Sequence, residues 1–493
     1  MKQGESEHPV SGGEQASEPV ASTRTFVSGR LLICAVCVIA LAAGYYGGRF
    51  ARGRFGNAAA DVRTTVAKSD KEADKNSPPA PVLKLDPDAP VPDKAEPLTR
   101  EVKAVVDCLV ATFPESPDAL EVQARSEVWL GNSSKAFDVW KKCVKLDPRY
   151  VYAYVGLASV AAERAEHDQA VEYAKQALEV EPNNFQARVT LTQSLLQLGR
   201  AAEVPPVLEP FLKSDPRSQG FFLLGQAYSQ LEQYEKAKDS YEAAIRIFPD
   251  YVEAYNGLAV AYEHLGQPDK AKPAMEKFQK LNAPEKSAAR IRGSTVSDLK
   301  LMQEGAAALY ADAGSLFFTS GRKADAETVW VRAAALDSHN VLCRQSLAWL
   351  MRNAARYGEN IAWLNQLAAI DPKNPSYLIE VGRTYEKLKL LPAAEESFRK
   401  ACKAAPANDA GYVALAGLLL RYGQNLAETA TLARKAIEIR PSAANYALLA
   451  SACRANGDLP AARTALEQAI KLAPQDPSYK AALDAINAGP AKK

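Results

Sequence analysis

From Pro117 to Asp476, apolar residues recur at i, i+3, i+4 and i+7 in short segments separated by polar, Gly or Pro breaks. That spacing predicts amphipathic helices, each burying one face. The segments come in pairs, and the pairs recur every 34 residues, a period that signals a repeat array. The clearest copies are Leu224 to Tyr228, Leu258 to Tyr262 and Val381 to Tyr385. Each is followed by an alanine (Ala237, Ala271, Ala394), then by Ala244, Phe278 or Ala401, and then by Pro249, Pro284 or Pro406. Small residues at the helix crossings let two backbones approach closely. The proline ends the second helix, because the residue before it is pushed out of the α region. One helix pair cannot bury its own apolar face, so neighbouring pairs must stack into a solenoid.

The pattern resembles the tetratricopeptide repeat (TPR). That family has a large residue at repeat position 4, apolar at 7, small at 8, aromatic at 11, Ala at 20, aromatic at 24, Ala at 27 and Pro at 32. Ten copies fit: 117–150, 151–184, 185–217, 218–251, 252–285, 307–340, 341–374, 375–408, 409–442 and 443–476. Position 32 is Pro in seven of them, the exceptions being Ala283, Ser338 and Arg440. The resemblance implies an all-α fold, an α-solenoid of about ten helix pairs in a right-handed superhelix. Residues 99–285 read as a first block, with a capping helix (Thr99 to Phe113) before repeats one to five. Residues 307–476 read as a second block of five repeats, and 477–493 as a C-terminal capping helix and tail. Pro205, Pro206 and Pro210 predict a shortened or kinked second helix in the third repeat. Residues 286–306 lose the 34-residue register; a joint between the blocks is expected there, movable around Lys286 to Ser297 at the Gly293-Ser294 break, with a helical pattern running from Asp298 through Leu309.

Ahead of the array the pattern changes. Residues 1–30 are polar and lack periodicity, which predicts a disordered tail. Leu31 to Gly48 carry no charge, close to the shortest span that crosses a hydrocarbon core about 30 Å thick. Tyr45, Tyr46 and Phe50 lie where an interfacial aromatic belt would be. A cleaved signal peptide is the rival reading, but the preceding stretch is long and acidic rather than short and basic. The expectation is an uncleaved single-pass anchor. Arg49, Arg52, Arg54 and Arg63 follow it, and the positive-inside rule then favours a cytoplasmic repeat region. Ala40, Gly44 and Gly48 put small residues four apart, which permits helix packing and self-association into a homo-oligomer. Residues 49–98 form a basic juxtamembrane stretch and a proline-rich linker, expected to be an extended spacer without enough apolar surface to fold.

Composition narrows the function. Lys plus Arg is 60 against 58 for Asp plus Glu, so a nucleic-acid partner, which calls for a basic surplus, is not expected. The 4 His are isolated, and the 7 Cys are scattered or sit in the apolar span. No phosphate loop, zinc-protease or nucleophile-elbow motif occurs. Neither an enzyme, a cofactor nor a metal site is expected, and the cysteines outside the span read as small packing residues.

In TPR proteins the first helices line a concave groove for partner proteins, through positions 2, 5, 9, 12 and 13. Position 5 here carries no Lys or Arg, so the carboxylate clamp of chaperone-binding members is absent. The groove candidates in the first block are Tyr152, Phe222, Gln226 and Asn256. Those in the second are Trp349, Arg352, Arg383, Lys387, Arg421 and Arg454. The basic string on one face points to an acidic, extended segment of a partner protein. These features together read as a membrane-tethered scaffold for complex assembly. The alternative is a regulatory or accessory subunit of an envelope-biogenesis or cytochrome-maturation enzyme complex.

Overall fold

A computed structural model describes residues 81–488. Among them are 22 α-helices, one 3-10 turn (Ala201–Glu203) and no strand. Helix α1 (Ala95–Thr112) precedes five pairs: α2 (Pro117–Trp129) with α3 (Ser133–Leu146), α4 (Val151–Glu163) with α5 (His167–Val180), α6 (Phe185–Gln197) with α7 (Val204–Ser214), α8 (Ser218–Gln230) with α9 (Tyr234–Ile247), and α10 (Val252–His264) with α11 (Pro268–Leu281). The 36-residue α12 (Pro284–Thr319) pairs with α13 (Lys323–Leu336). Four further pairs follow: α14 (Val341–Asn353) with α15 (Tyr357–Ile370), α16 (Pro375–Lys387) with α17 (Leu391–Ala404), α18 (Asp409–Arg421) with α19 (Leu426–Ile439), and α20 (Ala443–Ala455) with α21 (Leu459–Leu472). Helix α22 (Pro477–Asn487) lays Tyr479, Ala482, Leu483 and Ile486 on the last pair.

The repeat positions explain the packing. The bulky residue at position 24 rests on glycines of its own repeat and the next. A Cβ on Gly225 would lie 2.7 Å from the Tyr241 ring, and one on Gly257 2.5 Å from it. Trp330 and Phe398 sit on Gly314 and Gly382 in the same way. Asn184, Asn340, Asn374, Asn408 and Ser442, each the last residue of a repeat, accept a backbone N–H of the next helix. Such caps contribute about 1 kcal/mol each. The proline-bearing α7 has 11 residues against 14 for α9. Pro205 and Pro206 fall in its first turn, where a missing N–H costs little.

The turn between the helices of each pair follows a rule that the hydrophobic pattern does not contain. Position 15 has a positive φ in every repeat: Gly131, Ala165, Gly199, Glu232, Gly266, Gly321, Ala355, Lys389, Gly423 and Gly457. A residue with a Cβ pays about 1–2 kcal/mol there, whereas glycine pays about 0.5–1 kcal/mol in lost chain freedom. Glu232→Gly and Lys389→Gly, both at exposed turns, should therefore each stabilise the protein by about 0.5–1 kcal/mol. An unchanged or lowered unfolding midpoint in both variants would rule this out.

Three expectations need correction. The first is the joint at 286–306: the backbone there is part of one continuous helix, α12, which passes through Gly293-Ser294 without a break. From Pro284 to Met302 that helix rises about 27 Å. It carries the chain from the end of the fifth repeat back to the first, where Trp129 Nε1 donates to Met302 O at 3.2 Å and Arg125 pairs with Asp312 at 2.6 Å. The second is the cap: α1 does not close an end of the array but packs one face against both blocks, while Lys103, Ala104 and Asp107 on its other face stay exposed. Leu98, Val102, Val105 and Leu109 are fully buried in one core with Ala119 and Val122 of α2, Tyr310 and Phe317 of α12, Trp330 of α13 and Leu347 of α14. The two blocks thus share a hydrophobic core. The third is the linker: its last part, residues 81–94, is an ordered strap on that core, with Leu83 and Leu85 half-buried against it. The tail at 1–30, the expected anchor at 31–48 with Ala40, Gly44 and Gly48, and the linker up to residue 80 lie outside the described residues. No helix among the described residues is long and apolar enough to cross a membrane.

Candidate protein-binding groove

In the first array the candidate groove residues have different fates. Phe222 is a packing residue, its ring 5.0 Å from Tyr251 and 6.0 Å from Tyr241, in the core of repeats two to five. Tyr152 is half-buried with its ring edge-on to Tyr150, Gln226 is half-buried, and Asn256 is exposed. In the first repeat the chain itself occupies the groove. Positions 5, 9 and 13 are Glu121, Arg125 and Trp129. Glu121 is buried and accepts from Trp140 Nε1 at 2.5 Å, and burial pushes its carboxyl above the ordinary range. Arg125 and Trp129 are engaged by α12.

The second array is open. Between its α14, α15 and α16 lies a solvent-open cavity of about 210 Å³. Four groove positions of successive repeats converge on it: Gln345, Trp349 and Arg352 from α14 and Ser376 from α16. Leu364 and Leu367 of α15 form an apolar floor. Trp349 is the wall, 41% exposed and braced edge-on by Phe318 at 5.3 Å. Gln345 Nε2 donates to Tyr377 Oη at 3.1 Å across the mouth. Below it, Asn360 donates to Ala348 O at 2.7 Å and accepts from Thr384 Oγ1 at 2.9 Å, which satisfies the only deeply buried amide beside the cavity.

The basic residues continue the same face toward the C-terminus, but three of them are paired with carboxylates. Arg352 and Arg383 both pair with Glu380, at 3.1 and 2.6 Å. Arg421 makes paired 2.9 Å hydrogen bonds to Glu386. Lys387 stands over the Tyr357 ring at 4.8 Å, and Arg454 is exposed. The face therefore keeps a net positive charge, with two carboxylates interleaved. Sequence reasoning missed Glu380, Tyr377 and the floor residues, because it considered only the first-helix positions that face the groove. The Glu380–Arg383 spacing of three on a helix was a readable signal. The Glu386–Arg421 pair, 35 residues apart, was not.

Of the five cysteines among the described residues, four are buried. Cys143 and Cys343 are fully buried free thiols, and burial raises both to about 12.

Family profiles agree with the repeat architecture. The Tetratricopeptide repeat profile matches residues 151–184, 252–284, 375–408 and 443–476, and a TPR repeat profile matches 225–266. A TPR repeat-containing protein of Methanocaldococcus jannaschii is 23% identical over 162 residues, 31% of this chain and 29% of that protein. The peroxisomal targeting signal receptor of Komagataella phaffii is 24% identical over 202 residues, 32% of this chain and 35% of the receptor. The chain thus spans about a third of the length of these relatives. Among solved structures, MamA from Desulfovibrio magneticus is 20% identical over 34% of this chain and 96% of its own, with a TM-score of 0.32. The 34-residue period, the paired helices and the matched profiles identify the described chain as an all-helical solenoid of tetratricopeptide repeats.

Proposed function

We propose that this chain is a membrane-tethered, non-catalytic scaffold that holds an acidic, extended segment of a partner protein in the groove of its second array. The observation that carries the reading is the convergence of Gln345, Trp349, Arg352 and Ser376 on one open cavity, continued by Arg383, Lys387, Arg421 and Arg454. An exposed tryptophan over an apolar floor is the usual form of a binding anchor. Its setting beside a surplus of cations favours a partner with an apolar side chain among carboxylates. A relative named a targeting signal receptor is consistent with recognition of a protein segment. The uncharged stretch at 31–48 supports the tether, the arginines after it favour a cytoplasmic groove, and Ala40, Gly44 and Gly48 support self-association within the membrane.

The test begins with alkaline carbonate extraction of membranes, followed by crosslinking and mass spectrometry to identify the partner segment. That segment is then titrated against wild type and an Arg383→Glu/Arg421→Glu variant. Reversal should weaken binding at least about tenfold, the equivalent of roughly 1.4 kcal/mol, and wild-type affinity should fall with added salt. Release of the protein by carbonate would remove the tether. Equal binding of variant and wild type at low salt would remove the acidic partner.

A further inference from the structure

The strap at 81–94 and the surface beneath it are chemically matched. Its side chains alternate between half-buried and exposed from Pro81 to Leu85, the period of an extended chain, and the chain then turns at 86–89, where Ala89 N–H donates to Asp86 O at 3.4 Å. Leu83 and Leu85 point into the shared core, while Val82 and Lys84 point to solvent. The main-chain contacts run in one direction. Arg322 Nη2 donates to Pro81 O at 2.8 Å, and Cys108 Sγ donates to the same oxygen at 3.8 Å. Arg332 donates to Ala89 O and, at 3.2 Å, to Pro90 O. Gln303 Nε2 donates to Pro92 O at 2.9 Å. In each of these contacts the seat donates and the strap accepts. A proline presents a carbonyl but no N–H, so at 81, 90 and 92 the strap meets those donors with residues that have no donor of their own to satisfy. The donors are themselves fixed. Arg332 is fully buried and held by Glu101 through two 2.8 Å bonds, and Arg322 is held by Asp325 at 2.6 Å and Thr112 at 2.8 Å. Fixed donors beside apolar sockets make a preorganised surface, which lowers the cost of binding.

We propose that the face formed by α1, α12 and α13 is a peptide-binding site separate from the concave grooves, that its ligand class is an extended leucine- and proline-rich segment, and that residues 81–94 occupy it in cis. Occupancy seals the core where the two arrays meet.

The chain contains its own reporter. Cys108 donates to Pro81 O of the strap, whereas Cys343, fully buried in the same core, donates to Asn340 O of the repeat before it at 3.5 Å. In the full chain, Leu83→Asp/Leu85→Asp should unseat the strap and raise the iodoacetamide alkylation rate of Cys108 at least about tenfold, read by mass spectrometry. Cys343 and the far-ultraviolet circular dichroism should not change. A synthetic peptide of residues 81–94 added in trans should restore slow alkylation, and the same peptide with both aspartates should not. Unchanged Cys108 reactivity in the variant, or no protection by the wild-type peptide, would overturn the proposal. Should Cys343 also become reactive, the variant has lost its fold. The full chain with a protease site inserted after Lys94 then decides, because it folds before it is cut. The cleaved N-terminal piece should stay bound and be displaced by excess 81–94 peptide. Immediate dissociation would mean that the seat has no affinity of its own.

Discussion

Arg332→Met is expected to cost about 3–5 kcal/mol of stability, the usual consequence of removing one partner of a buried ion pair. Arg332 has no solvent-exposed surface, and Glu101, which it holds through two hydrogen bonds, is itself largely buried and accepts from Tyr310 Oη at 3.1 Å. The methionine would fill the volume and leave the Glu101 charge without its counter-ion. It would also strip the donors from Ala89 O and Pro90 O. The double variant Arg332→Met/Glu101→Met should recover most of the loss, because an apolar pair of similar volume needs no desolvation. Chemical denaturation of the two single variants and the double closes the cycle. If Arg332→Met unfolds within about 1 kcal/mol of wild type, the pair does not hold the junction.

Trp140→Ala should be comparably damaging, at about 3–5 kcal/mol. The ring is almost fully buried, wedged over Gly156 of the next repeat so closely that a Cβ there could not be accommodated. Its Nε1–H is the donor to buried Glu121. The substitution opens a cavity between the first two repeats and leaves a carboxylate without its partner. Because each repeat touches mainly its neighbours, the damage should stay local. Hydrogen exchange should quicken in α2 to α4 while α18 to α21 keep wild-type protection. Uniform loss of protection along the whole chain would contradict that locality.

The legible and illegible parts of the groove divide along the same line. Trp349 and Arg352 could be placed from their repeat positions, and both line the cavity. Phe222 occupies an equivalent groove position, but it fills space between Tyr241 and Tyr251. A pattern of residue types cannot say whether an aromatic at a groove position meets solvent or a neighbouring ring. The basic string was legible from the repeat positions, but its pairing was not: Glu380 and Glu386 each reach across to cations of an adjacent repeat. Those pairings depend on how far one repeat is rotated against the next, which the composition of a single repeat does not encode.

The helix pairs, their boundaries and the stacking of one pair on the next follow from local rules. Small residues at position 8, bulky ones at 24 and prolines near 32 each act within about one repeat length, so the 34-residue period carries them. The junction obeys no period. Arg332 meets Glu101 across 231 residues, and Arg322 meets Pro81 across 241. Contacts of that separation form only when α12 has carried the chain back to the first repeat, which brings α1 and the strap into the core of the sixth. A helix such as Thr99 to Phe113 has the same amphipathic pattern whether it caps an end or is buried between arrays. Amphipathicity specifies that a face must be covered, and only the tertiary fold specifies what covers it.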